Sequence, residues 1–306
     1  MSDENKWNGL LKYRLDYKKR RGDPMVKIIA DSTCDLSAEL IEKYDVSILP
    51  LHILLGEKEY EDGKSITPED IFQWSDEHET TPKTSAPAME TVMELLRPYV
   101  EAGQECVCFC ISESMSTCGN VIRMAAEELE AGSLVHVIDS QNLSTGIGLL
   151  VIEAAIMAKE GKTADQIVSQ IEALRPRVRA SFVVDTLVYL HRGGRCGGLT
   201  AMLGGALKLH PKIVVEDGAM HSTKKYRGNI RSVVLSYVKD MESELKNAKP
   251  DRVFITHSGC KPTVVEPVRE YLQSLGIFAE ILETRAGGVI SSHCGPGTLG
   301  VLFISI

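Results

Sequence analysis

Apolar and polar positions along this chain alternate between two periods. Short apolar runs bounded by polar turns occupy residues 26–30, 46–54, 106–111, 134–138, 181–184, 252–256, 277–282 and 299–306. Runs of that length predict strands. Between them apolar residues recur at helical spacing over residues 36–44, from Met89 through Val92, Met93 and Leu96, and over 120–129, 146–159, 229–246 and 262–274. Capping residues mark several starts. The turn Asp31-Ser32-Thr33-Cys34-Asp35 opens the first helix, Thr67-Pro68-Glu69-Asp70 the second, Thr163 another, and Asp185 a short helix. Strand and helix alternate through the first half, which predicts a parallel sheet covered on both faces. After Ala180 the pattern changes. Residues 211–215 and 220–224 flank Asp217-Gly218 and predict an antiparallel ribbon.

Composition narrows the class. A length of 306 residues suggests two domains, and 43% hydrophobic with 25% charged residues is the balance of a soluble globular chain. The fold class expected is α/β, with units at residues 25–180 and 181–306. A net charge of −8 argues against a general nucleic-acid binder. No apolar stretch approaches the roughly 20 residues of a membrane span. Eight cysteines without a signal peptide point to free thiols in a reducing cytoplasm. Residues 1–24 stand apart, with seven Lys/Arg against four Asp/Glu. Trp7, Leu11 and Leu15 followed by Lys18-Lys19-Arg20-Arg21 fit either a flexible extension or an amphipathic helix making transient contact with an anionic membrane surface.

Candidate chemistry gathers in four loops. Ser291-Ser292-His293-Cys294-Gly295-Pro296-Gly297 reads as a small-residue turn between two strands, presenting an imidazole. Thr84-Ser85-Ala86-Pro87 offers paired hydroxyls ahead of a helix, and residues 112–117 offer more at the end of an apolar strand. In parallel sheets ligands bind beyond such strand ends. Hydroxyls and an imidazole without a run of carboxylates fit an anion site rather than a metal site; three unrelated polar turns fit as well. In residues 191–198, Arg192 and Arg195 among four glycines make a cationic loop suited to phosphate or carboxylate, or a plain connector. Cys106, Cys108 and Cys110 alternate along one strand and read as core packing. There is no G-x-x-x-x-G-K-[ST] and no acidic pair suited to magnesium, so no nucleotide site is expected. An acyl-transfer enzyme would use Ser116 or Cys294 as nucleophile with His293 as base, though G-x-S-x-G is absent.

Taken together, Asp31-Ser32-Thr33-Cys34-Asp35-Leu36, Thr84-Ser85-Ala86-Pro87, residues 112–117, Gly193-Gly194-Arg195 and His293-Cys294-Gly295-Pro296-Gly297 resemble the DegV family from about residue 26 to 306. That family comprises fatty-acid-binding proteins that serve as the acyl-carrying subunit of bacterial fatty acid kinase. The resemblance implies two α/β domains with a long-chain fatty acid between them, no cofactor, and a separate kinase catalytic subunit as partner. It implies a carboxylate held by Thr84 and Ser116, with His293 nearby and Ser85 a neighbour. A non-catalytic carrier is therefore expected, with a lipid-responsive regulatory protein as an alternative sharing the same pocket. Arg192 and Arg195 are then placed to meet an acyl-phosphate or an acidic kinase surface. The chain departs from the family pattern at Thr117-Cys118, where glycine and threonine are usual, at His210 before Pro211, where lysine is usual, and at Ser291-Ser292, where small apolar residues are common. A sixteen-carbon tail at about 0.8 kcal/mol per buried methylene is worth on the order of 11 kcal/mol. A charge-assisted hydrogen bond adds roughly 1.5–3 kcal/mol. The tail is thus expected to carry affinity and the loops to fix orientation.

Overall fold

A computed structural model describes residues 25–194 and 209–306. The basic N-terminal segment and Arg195 lie outside the described residues. β1 (Lys27–Asp31) runs beside β2 (Val46–Leu49) and β6 (Cys106–Cys110), and β6 beside β7 (Val135–Asp139). All four are parallel, in the order β2-β1-β6-β7. The order turns back between β1 and β6, so the loops leaving those two strands flank the crevice where such sheets take ligands.

The apolar run at residues 46–54 is not one strand. Pro50 has no N–H to give a ladder, and the chain turns there into β3 (His52–Leu55). β3 joins an antiparallel three-stranded sheet with β4 (Lys58–Glu61) and β5 (Lys83–Ser85). Thr84 and Ser85 therefore sit on a strand rather than in a loop. The turn after β1 does not open the first helix either. Asp31 accepts from the Thr33 N–H and closes a single 3-10 turn, while Ser37 caps α1 (Ala38–Tyr44). α2 (Pro68–His78) has the expected capping box between Thr67 and Asp70, and α3 (Met89–Glu101) and α4 (Cys118–Glu128) follow.

α5 (Thr145–Lys159) positions everything else. Apart from Glu153 it is apolar on nearly every face, the pattern of a helix enclosed on all sides, and Leu149, Leu150, Val151 and Ile152 are fully buried. It packs against β1 of the parallel sheet and against β8 (Val178–Val183) and β13 (Thr298–Ser305) of a second sheet. Gly148 permits the close approach, since a Cβ there would lie 2.8 Å from Leu36 and 3.0 Å from the Cys34 carbonyl oxygen. α6 (Ala164–Leu174), capped by Thr163, precedes β8.

The second sheet has six strands in the order β10-β9-β8-β13-β11-β12, with β9 (Leu209–Glu216), β10 (Ala219–Arg227), β11 (Ala248–Ser258) and β12 (Glu280–Arg285). Only β11 and β12 pair in parallel. The predicted ribbon is the β9–β10 hairpin, turning at Asp217 and Gly218, both at positive φ. α7 (Val188–Arg192) starts after Leu187 with no side-chain cap from Asp185; the Thr186 hydroxyl accepts from the Val188 N–H at 3.2 Å. The helix expected over 229–246 is α8 (Ile230–Asp240) followed, after Met241, by the single turn α9 (Glu242–Leu245). α10 (Pro262–Leu275) covers β11 and β12. Cys106, Cys108 and Cys110 are all buried in the core. Among the described residues no helix is long and apolar enough to cross a membrane.

Candidate functional site

His293 lies on α11 (Gly288–Cys294), where the small-residue pattern had predicted a turn. The helix is anchored from a distance. The Gly287 N–H donates to Asp35 Oδ1 at 2.8 Å and the Gly288 N–H to Asp62 Oδ1 at 2.7 Å. Two carboxylates thus satisfy N–H groups that the first turn cannot. A Cβ at Gly288 would fall 2.6 Å from Ile53 Cδ1 and 2.9 Å from Asp62 Oδ1, so only glycine fits. Ser144 donates to Asp35 at 2.5 Å and Ser32 to Asp62 at 2.7 Å. Burial pushes both carboxyls above the ordinary range, and the hydrogen bonds they accept pull the other way. At the other end the Gly295 N–H donates to the Ser291 carbonyl at 2.9 Å with φ at +72°. Tyr189 packs where a Gly295 side chain would stand.

So held, His293 Nε2 lies 2.8 Å from Thr84 Oγ1 on β5, although 209 positions separate the two residues. Gly193, at the end of α7, lies flush on the ring. A Cβ there would come 2.3 Å from Nδ1 and 2.9 Å from Cε1. Replacing Gly193 with Ala should therefore displace the imidazole from Thr84. Overpacking of this kind typically costs about 1–3 kcal/mol, readable as a lower denaturant midpoint together with shifted His293 ring resonances by NMR. An unshifted ring would show that the loop yields instead.

The loop after β6 is fixed by its own set of bonds. Burial raises the Asp31 carboxyl to about 6, opposed by bonds from Thr33 and Ile111. The Ile111 N–H donates to Asp31 Oδ2 at 2.8 Å, which ties the end of β6 to the end of β1. The Ser112 N–H donates to the Asn142 carbonyl at 2.9 Å and the Ser116 N–H to the Ser112 carbonyl at 3.1 Å. Ser116 Oγ accepts from the Cys118 N–H at 3.2 Å, at the start of α4. The hydroxyls of Ser112 and Ser114 both donate to the Gly218 carbonyl, so the β9–β10 hairpin tip is clasped to this loop.

These elements enclose a cavity of about 460 Å³, within the roughly 300–1,000 Å³ usual for small-molecule sites. Leu51, Ile111, Leu143, Leu190, Val289 and Ile290 are among its apolar walls, and Met115 and Met220 add flexible ones. Thr84, Ser85, Ser116 and His293 all line it, so four residues singled out from the sequence share one cavity. Glu113, Ser114 and Thr117 line it too. Arg192 is the exposed last residue of α7 and is not among the lining residues. Cys294 lines the cavity, but burial pushes its thiol up to about 12, which leaves almost no nucleophilic thiolate. Among the described residues no group of three or more His, Cys, Asp or Glu is arranged to hold a metal ion. Glu113, Asp35 and Asp62 had not been singled out individually as site residues. Glu113 and Asp35 fall within segments already noted, but Asp35 and Asp62 act on N–H groups of α11 far away in sequence, which no local pattern shows.

The sequence model of the DegV family, described as an uncharacterised protein family, matches residues 25–305. A DegV domain-containing protein of Clostridium perfringens is 30% identical over 279 residues, covering 91% of this chain and 98% of the relative. Among solved structures, that of a DegV family protein from Thermus thermophilus, described as fatty-acid binding, superposes with a TM-score of 0.85 at 31% identity. It covers 92% of this chain and 100% of the other. A stearic-acid-binding protein from Eubacterium ventriosum gives a TM-score of 0.81 at 30% identity, over 92% of this chain and 98% of its own. The chain belongs to the DegV family.

Proposed function

We propose that this protein binds a long-chain fatty acid in the cavity, with the carboxylate at Thr84 and Ser116, His293 beside them and Ser85 adjoining. The observation that carries this reading is the Thr84–His293 contact in the wall of a mainly apolar cavity. Hydroxyl and imidazole N–H groups can donate to a carboxylate, and the apolar walls suit its tail. The fatty acids bound by the relatives from Thermus thermophilus and Eubacterium ventriosum support the same ligand class. In this reading the ligand lies between a unit of residues 25–180 and one of residues 181–306. The bound acid is presented, in the cytoplasm, to a separate kinase that phosphorylates the carboxylate, with Arg192 and Arg195 as the proposed contacts to that partner or to the acyl-phosphate.

Acyl transfer finds less support, because the imidazole nitrogen is engaged with Thr84 rather than with Ser116, and the Cys294 thiol is held protonated. Titration of delipidated protein with a displaceable fluorescent fatty acid tests the ligand. Saturable uptake competed by unlabelled fatty acid is expected, and no uptake would overturn the reading. For the partner, Arg195→Ala should leave uptake unchanged while slowing phosphorylation by a fatty acid kinase, because tail burial carries binding. Normal phosphorylation of both the Arg195→Ala and Arg192→Ala variants would reduce the loop to a connector.

A further inference from the structure

We propose that Glu113 sets how strongly the cavity discriminates an anionic head group from a neutral one, by holding with Arg123 the positive end of α4. The inference rests on the fatty-acid reading above and names the residue that tunes its head-group selectivity. Glu113 lines the cavity three residues ahead of Ser116. Its Oε1 lies 2.5 Å from Arg123 Nη2, and Arg123 Nη1 also donates to Asn120 Oδ1 at 3.1 Å. A Cβ at Gly119 would lie 2.8 Å from Glu113 Oε1 and 3.4 Å from Arg123 Nη1. Both charged groups therefore lie across the first turn of α4, in space that glycine leaves open.

That turn has its own electrostatic demand. The N–H groups at a helix start carry partial positive charge and favour an anion. α4 has no acidic residue in its first turn, and Thr117 makes no side-chain cap there. Glu113 brings a negative charge to that turn from the preceding loop, beside Asp31, whose carboxyl meets the Cys118 thiol. Ser116, the proposed carboxylate ligand, accepts from the Cys118 N–H of the same turn. A carboxylate held by Ser116 and the Glu113 carboxylate thus share one positive helix end at the wall of the same cavity. In the native protein Glu113 offsets the attraction that Arg123 and the helix would exert. Removing its charge leaves them uncompensated in favour of an anion. Removing the Arg123 charge leaves Glu113 repelling one. A ligand with the same tail and a hydroxyl head feels neither change. Glu113 and Arg123 side chains are 36% and 41% exposed, so the effects are modest and screened by salt.

The test compares a saturated long-chain fatty acid with the alcohol of equal chain length, by displacement titration of the delipidated full chain. Glu113→Gln should tighten fatty-acid binding about two- to fivefold and leave the alcohol unchanged, the scale of one partly exposed charge at a helix end. Arg123→Gln should weaken the acid by a similar factor, and the double variant should return towards wild type. Both shifts should shrink at high salt. Unchanged or weakened acid binding by Glu113→Gln, or equal shifts for acid and alcohol, would overturn the inference while leaving the fatty-acid reading intact. Wild-type protein that takes up neither ligand would remove both.

Discussion

Thr84→Ala and Ser116→Ala should each weaken fatty-acid binding by roughly 1–3 kcal/mol, the penalty of losing one hydrogen bond to a charged acceptor, or about 5- to 150-fold. The two residues reach the cavity from different supports. Thr84 is carried by β5, paired to Ile53 of β3, and Ser116 by a loop tied to β1, β7 and the β9–β10 hairpin. Loss of one hydroxyl therefore leaves the other in place. Because both address the same carboxylate, the double variant should lose less than the sum of the singles. Thr84→Ala also strips His293 Nε2 of its 2.8 Å neighbour, so its effect should be the larger. Displacement titration of each variant, with the fold checked by circular dichroism, measures this. Wild-type affinity in both variants would move the carboxylate elsewhere in the cavity.

Replacing Glu153 with Ala should destabilise the fold by about 3–5 kcal/mol, the scale of removing one partner from a buried ion pair. Glu153 is on the second half of α5, and Arg252 on β11 reaches it at 2.5 Å. Each residue is 8% exposed. Lys249 meets the other Glu153 oxygen at 2.8 Å. Without Glu153, Arg252 retains, among the described residues, the more distant Glu280 at 3.7 Å. The same seam is joined by Thr145 of α5 and Thr256 of β11, 2.6 Å apart. The pair thus fastens α5, which packs on the parallel sheet, to the six-stranded sheet. Urea unfolding should show the loss as a lower midpoint, and saturating fatty acid should recover part of it because a ligand bound only to the native state stabilises it. A variant as stable as wild type would mean that water reaches Arg252 once Glu153 is gone.

Much of this arrangement was legible in the residues. Alternating strand and helix periods identified the parallel sheet, and Asp217-Gly218 between two strands identified the hairpin. The hydroxyl and imidazole segments suggested an anion site, the DegV resemblance singled out Thr84, Ser116 and His293 within them, and the three share one cavity. What escaped was long-range. The run through residues 46–54 is mainly apolar, and its division between two sheets depends on Pro50 and on where β5 later pairs. α11 begins Gly-Val-Ile-Ser-Ser and has weak helical propensity. It forms because Asp35 and Asp62, 252 and 226 positions away from the N–H groups they accept, supply its caps. The break in the helix at Met241 and the start of α7 without a cap from Asp185 depend on geometry that neighbouring residues do not encode.

The central claim is that a fatty acid occupies the cavity bounded by Thr84, Ser116 and His293. Native mass spectrometry of the purified protein, followed by lipid extraction of the same sample, tests it most directly. The account predicts an adduct of one unesterified long-chain fatty acid per chain, diminished in the Thr84→Ala and Ser116→Ala variants. A chain that carries no lipid and takes none up when fatty acid is supplied, or an adduct of equal occupancy in wild type and both variants, would contradict it.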